Sequence, residues 1–143
     1  MLVKDYMHTQ PITVSPHERL HVAHERMRQH RIRHLPVVDE NGKLVGVITD
    51  RDVRQAEPSD EPHLAEHELT YLLAKAEVQE FMTREVVTVR AETPVAEAAR
   101  IFLERKFGCL PVVRDDHTLE GILTVTDLLR AYVEQHEAAA RPT

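Results

Sequence analysis

Two four-residue segments carry the side chains best suited to hold a ligand, Thr49-Asp50-Arg51-Asp52 and Thr124-Val125-Thr126-Asp127. Each follows a run that contains Gly and ends in bulky aliphatics, and each is placed to open a helix. A Thr at a helix N-cap leaves backbone N–H groups pointing out of the helix end, where they and the hydroxyl can bind a phosphate. An Asp three residues later can accept two hydrogen bonds from the vicinal hydroxyls of a sugar. The same spacing is also a variant capping box, with the acid folding back to the N-cap amide and gaining from the helix dipole. Spacing alone leaves both roles open.

Other reactive side chains are less well organised. Cys109 is the single cysteine. It falls at the end of an expected strand with no Cys-His constellation, so it reads as a small buried apolar residue. The chain has ten histidines. His17, His21 and His24, or His63 and His67, could each share a helix face, but no third ligand is fixed and no metal is expected. No Gly-rich phosphate cradle with a following Lys occurs, which counts against nucleotide hydrolysis. The repeated acids form no general acid–base pair, so no enzyme is expected.

Composition narrows the partners. The 143 residues include 24 acidic against 18 basic, a formal charge of -6. Attraction to a nucleic-acid backbone or an anionic membrane needs a basic surface, so neither is an expected partner. One cysteine makes no internal bridge, and no apolar stretch approaches a membrane span. A cytoplasmic location is the expectation.

The elements that must position the two Thr-x-x-Asp segments come as a repeat. Leu35-Pro36-Val37-Val38 recurs as Leu110-Pro111-Val112-Val113, an offset of 75 residues. The same offset pairs Met7 with Met82, Thr13-Val14 with Thr88-Val89, Ala23 with Ala98, Gly46 with Gly121 and Asp52 with Asp127, with no gap. Each copy opens with a short β-rich segment (Ile12 to Val14, Val86 to Val89). A helix follows, with apolar positions Leu20, Ala23 and Met27, or Val95, Ala98 and Phe102, at i, i+3 and i+7. Two strands then form a hairpin. Its first turn holds Asn41-Gly42, whereas Arg114-Asp115-Asp116-His117 has no Gly, so only the first turn carries an obvious left-handed residue. A second helix starts near Asp52 or Asp127. Ser15-Pro16-His17-Glu18 resembles a capping box, but Thr93-Pro94 in the other copy moves the first helix start to near Glu18.

The expected fold class is α/β (α+β): tandem repeats, each a small sheet with two packed helices, related by a pseudo-two-fold axis. The boundaries are 1–57 for the first repeat, 58–77 for a connector, 78–136 for the second repeat and 137–143 for a frayed tail. A connector helix is expected from His63 to Ala76.

In this order, twice, the segments resemble the CBS family (cystathionine-β-synthase-type domains), and specifically a tandem pair forming a stand-alone Bateman module. The carriers are Val3-Lys4-Asp5-Tyr6-Met7 and Val78-Gln79-Glu80-Phe81-Met82, Arg33-His34-Leu35-Pro36-Val37-Val38-Asp39, Leu110-Pro111-Val112-Val113, Gly46 through Asp52 and Gly121 through Asp127. The resemblance implies clefts between the repeats that accept adenosine-containing ligands: AMP, ADP, ATP or S-adenosylmethionine. Asp52 and Asp127 would take the ribose hydroxyls, and Thr49 and Thr124 would face phosphates. Adenine would lie between aliphatic walls from Ile12 to Val14, Val37 and Ile48, or from Val87 to Val89, Val112 and Leu123. It also implies regulation without catalysis, a homodimer paired through helical faces, and an effector protein to read the signal.

The two copies are not equivalent. Arg31, Arg33 and His34 precede the first Leu-Pro-Val-Val, where the second has Lys106, Gly108 and Cys109; Arg51 has only Thr126 opposite it. Phosphate binding is therefore expected to lean on Arg33, His34 and Arg51, with solvent-facing arginines as the alternative. A module that binds no small molecule and serves structure or protein interaction is the competing function.

Overall fold

A computed structural model describes residues 1–56 and 75–140. The expected connector helix lies outside the described residues except for Lys75 and Ala76. In chain order, β1 (His8–Thr9) precedes α1 (Leu20–His30), β2 (His34–Val38), β3 (Leu44–Thr49) and α2 (Asp50–Ala56). Then come α3 (Val78–Phe81), α4 (Val95–Arg105), β4 (Cys109–Val113), β5 (Leu119–Thr124) and α5 (Val125–Ala140).

The chain divides into two compact units, and each borrows its leading segment from elsewhere in sequence. One unit combines residues Ile12–Val86; the other combines Met1–Pro11 with Val87–Thr143. In the first, the N-terminal amide of α1, on Leu20, donates to the carbonyl of Ala76 at 2.8 Å, and Val78 N–H donates to Glu18 at 2.9 Å. In the second, Val95 N–H donates to Met1 at 3.0 Å and Val3 N–H to Thr93 at 2.8 Å. These are the same bonds displaced by the repeat offset. A helix whose first amides lack a side-chain cap thus has them satisfied by backbone. Val78 and Val3, each 0% exposed, anchor the borrowed segments; burial of one such side chain is worth about 1.5–3 kcal/mol.

The helices follow their periodicity. Leu20, Ala23 and Met27 of α1 and Val95, Ala98 and Phe102 of α4 are buried. Both helices end on a left-handed residue that is not glycine, Arg31 and Lys106. Ser15-Pro16 is loop, and α1 starts at Leu20, close to the boundary that the repeat implied. Ser15 N–H donates to the Glu18 carboxylate at 3.2 Å, as Arg90 N–H donates to Thr93 Oγ1 at 2.9 Å; the capping-box resemblance was a turn closure.

In the first unit β2 and β3 form an antiparallel pair; in the second β4 and β5 pair likewise and β1 adds antiparallel to β5. Both hairpins carry a register shift at the same place, Val37/Val38 and Val112/Val113. The segments Ile12–Val14 and Val86–Val89 contribute single bridges rather than strands, Val14 to Val37 and Val89 to Val112, both parallel. The hairpin turns correct one expectation. Gly42 has φ 80°, and His117, in the matching place, has φ 72°. Each amide closes its turn, Gly42 onto Asp39 and His117 onto Arg114, so the second turn is left-handed without glycine.

Helix α5 continues through Ala140, past the expected boundary at residue 136. Glu137 and Ala138 are exposed, so helix propensity rather than burial carries the helix past residue 136.

Candidate functional site

Strand β3 ends at Thr49 and α2 begins at Asp50, so Thr49 is the N-cap and Asp52 the third helical residue. Asp52 Oδ2 accepts the Thr49 N–H at 2.9 Å, and Thr49 Oγ1 accepts the Asp52 N–H at 3.1 Å. This is a reciprocal capping box. Both residues are half-buried. Among the described residues, Asp52 Oδ1 has no hydrogen-bond partner.

The second copy starts alike and ends differently. Asp127 Oδ2 accepts the Thr124 N–H at 2.8 Å, and the Thr124 hydroxyl donates to the same oxygen at 3.1 Å. Its other oxygen, Oδ1, stands 2.9 Å from His8 Nε2 and accepts from an Arg130 guanidinium nitrogen at 2.9 Å. The Asp127 side chain is 0% exposed, while those of His8 and Arg130 are 56% and 45% exposed. The capping geometry foreseen as the alternative to ligand contact is present at both segments. At Asp127 every acceptor direction is engaged; at Asp52 one oxygen is not.

His8 and Arg130 are the residues that sequence reasoning missed. The offset that aligned the motifs contained the signal, since it sets His8 against Thr83 and Arg130 against Gln55. Neither partner bears a charge.

Register explains where the basic pair lies. His34 pairs with Thr49 across the β2–β3 ladder, as Cys109 pairs with Thr124 across β4–β5. Arg33, next to it, accepts the Asp50 N–H at its carbonyl at 2.9 Å. His34 is half-buried, and burial, reinforced by the Arg33 guanidinium, lowers its pKa from the ordinary histidine value. The side chains of Arg31, Arg33 and Arg51 face solvent. Arg28, Arg31 and Arg33 line a cavity of about 330 Å³ with Asp50 at its edge, but neither Thr49 nor Asp52 lines it.

The aliphatic walls expected for adenine are mostly core. Val37, Ile48, Val112 and Leu123 are 0% exposed, and Val14 and Val89 are 2% and 5% exposed. Ile12 and Val87 keep partial exposure, packed at the margin of the two cores. Val14 and Thr13 also border a cavity of about 670 Å³ with Glu18, Arg26 and Asp39. In the second unit an Arg90–Asp115 ion pair joins the positions that match Ser15 and Glu40 of this cavity's lining.

Cys109 is buried and its thiol pKa is pushed up to about 12 by that burial, which suits the apolar role read from sequence. Among the described residues no group of three or more His, Cys, Asp or Glu side chains is placed to hold a metal ion; His63 and His67 lie outside them. Among the same residues no helix is long and apolar enough to cross a membrane.

Two like α/β units, each opening a helix on a capped Thr-x-x-Asp, define a tandem-repeat module. The CBS domain model matches residues 3–59 and 78–134, and the chain belongs to the CBS domain family. A CBS domain-containing protein of Dictyostelium discoideum is 37% identical over 131 residues, covering 90% of this chain and 89% of that one. The CBS-pair protein CBSX2 of Arabidopsis thaliana, solved in complex with AMP, superimposes with a TM-score of 0.80 at 33% identity, covering 94% of this chain and 98% of that one. A CBS domain pair solved in complex with 5′-methylthioadenosine and S-adenosyl-L-methionine gives a TM-score of 0.79 at 32% identity over 94% and 98%. Other relatives, named as enzymes, are longer: the chain spans 23% of one and 22% of another. The two CBS matches leave residues 1–2, 60–77 and 135–143 outside the family model.

Proposed function

We propose that this protein is a regulatory module that binds an adenosine-containing ligand, AMP, ADP, ATP or S-adenosylmethionine, and does no chemistry on it. The observation that carries the proposal is the Thr49–Asp52 opening: a capped helix N-terminus with a half-exposed carboxylate and one uncommitted oxygen. His34 stands across the ladder from it, and Arg33 is adjacent. Such an opening suits a ribose diol and the phosphate beside it. Support also comes from the relatives solved with AMP and with 5′-methylthioadenosine and S-adenosylmethionine. Arg51, Ile12 and Val14 in the same unit, and separately Thr124, Asp127, Val87 and Val89 around the matching opening of the other unit, are the remaining candidate contacts. Occupancy shifts the population of conformers at the helix surfaces, which an effector protein in the cytoplasm reads. Exposed Leu129, Tyr132 and Val133 on α5 favour pairing of two copies through this helix.

Calorimetric titration with each of the four ligands tests the proposal, together with Asp52→Ala. Saturable binding that Asp52→Ala removes is expected; no heat and no thermal shift up to millimolar ligand defeats it.

A second function, structure or protein interaction with no small ligand, is favoured by one observation. Asp127 is already fully engaged as a cap. It requires Asp52→Ala to lower stability while changing no ligand response.

A further inference from the structure

The two Thr-x-x-Asp openings share the bond from the threonine N–H to the carboxylate. They differ in the threonine hydroxyl, which accepts the Asp52 N–H in one and donates to Asp127 in the other, and in what holds the second carboxylate oxygen. At Asp127 that oxygen is shared by His8, on the borrowed strand β1, and Arg130, one helical turn on, both at 2.9 Å. At Asp52 the matching positions are Thr83 and Gln55, and neither is bonded to the carboxylate among the described residues. A ligand diol approaching Asp127 must first displace two charge-assisted bonds; one approaching Asp52 meets an open oxygen. The displaced groups are not trapped. Both side chains are about half exposed and can be rehydrated, so the arrangement is releasable.

Resting on the ligand-binding role proposed above, we propose that His8 and Arg130 form a latch on Asp127, so that ligand loads the Thr49–Asp52 opening and is held off the Thr124–Asp127 opening. His8 and Arg130 thereby set which copy is the sensing site and how many ligands the chain takes. His8 lies opposite Ile122 on the β1–β5 ladder, so the latch also fastens the N-terminal segment to the helix that carries Asp127. Occupancy of the second opening would loosen that attachment. This couples a second, weaker binding event to the hold on residues Met1–Pro11.

The test replaces the latch with the residues of the other copy. AMP is titrated calorimetrically into the full chain, into His8→Thr with Arg130→Gln, and into Asp52→Ala. His8→Gln is the conservative control, because its amide keeps a donor for Asp127. Circular dichroism and a melting curve for each variant establish folding. One site in the parent chain is expected, lost in Asp52→Ala. The double variant is expected to take a second AMP at least about tenfold more tightly than the parent does at that opening, and His8→Gln to keep one site. Two equivalent sites in the parent, or one unchanged site in the folded double variant, overturn the latch while leaving the proposed function standing. Absence of AMP binding in all variants overturns the latch; absence with the other three ligands as well overturns the function with it. Should the double variant not fold, His8→Thr and Arg130→Gln decide singly: at least one must strengthen the second site, and neither doing so overturns the latch.

Discussion

Asp52 and Asp127 each accept the backbone amide of the threonine three residues before, yet only Asp127 is withdrawn entirely from solvent. The difference has an energetic consequence. Truncating Asp52 removes a cap and is expected to cost about 0.5–2 kcal/mol. Truncating Asp127 removes a cap, a hydroxyl contact and two bonds to charged or polar partners, and is expected to cost about 3 kcal/mol. Urea unfolding of Asp52→Ala and Asp127→Ala measures both. Equal losses would mean that His8 and Arg130 contribute nothing to the hold on Asp127.

Gly121 is pressed against the borrowed strand. A methyl group there would stand 2.8 Å from the carbonyl oxygen of His8 and 3.0 Å from Met7 Sδ. A methyl group on Gly46 would likewise stand 2.8 Å from Thr83 O and from Met82 Sδ in the other unit. Backbone does not yield as a side-chain tip does. Gly121→Ala is expected to lower stability by about 1–3 kcal/mol and to speed amide hydrogen exchange at Thr9, which faces Gly121 in the ladder. Exchange at Thr9 as slow as in the parent would show that the strand has not moved.

His34 makes stability depend on pH. Its pKa is lowered by burial and then by Arg33, so the folded chain holds this imidazole neutral at pH values where the unfolded chain protonates it. The contribution is fully present above the unfolded value. It is lost progressively as pH falls from there to the lowered folded value, and is constant below it. Melting temperatures of the parent and His34→Gln between about pH 7 and pH 5 are expected to converge as pH falls, with the parent losing more. Parallel curves would contradict this.

The Cys109 thiol, with its pKa pushed up to about 12 and its side chain buried, is expected to be unreactive in the native protein. At about pH 8, a disulfide reagent should label it only as fast as the chain opens, and at once in denaturant. Rapid labelling of the folded protein would place the thiol at the surface.

Much of the fold was legible from the 75-residue offset, because a repeated pattern of Leu-Pro-Val-Val, Gly and Thr-x-x-Asp imposes the same local structure wherever it recurs. Comparing copies even corrected the start of α1, which Ser15-Pro16 alone would have misplaced. The left-handed His117 was not legible: it carries no glycine, and only closure of the turn onto Arg114 forces the conformation. The deep burial of Val37, Ile48, Val112 and Leu123 was likewise hidden, since a strand read in isolation does not say which of its aliphatic side chains meets a helix and which a ligand.

By itself the sequence located the two Thr-x-x-Asp helix openings and paired them by repeat, while the three-residue spacing left capping and ligand contact both open. Tertiary structure alone decided their inequality. His8 and Asp127 are brought within 2.9 Å only because the N-terminal segment packs on the second repeat's sheet, and no local spacing encodes a contact between residues so far apart along the chain.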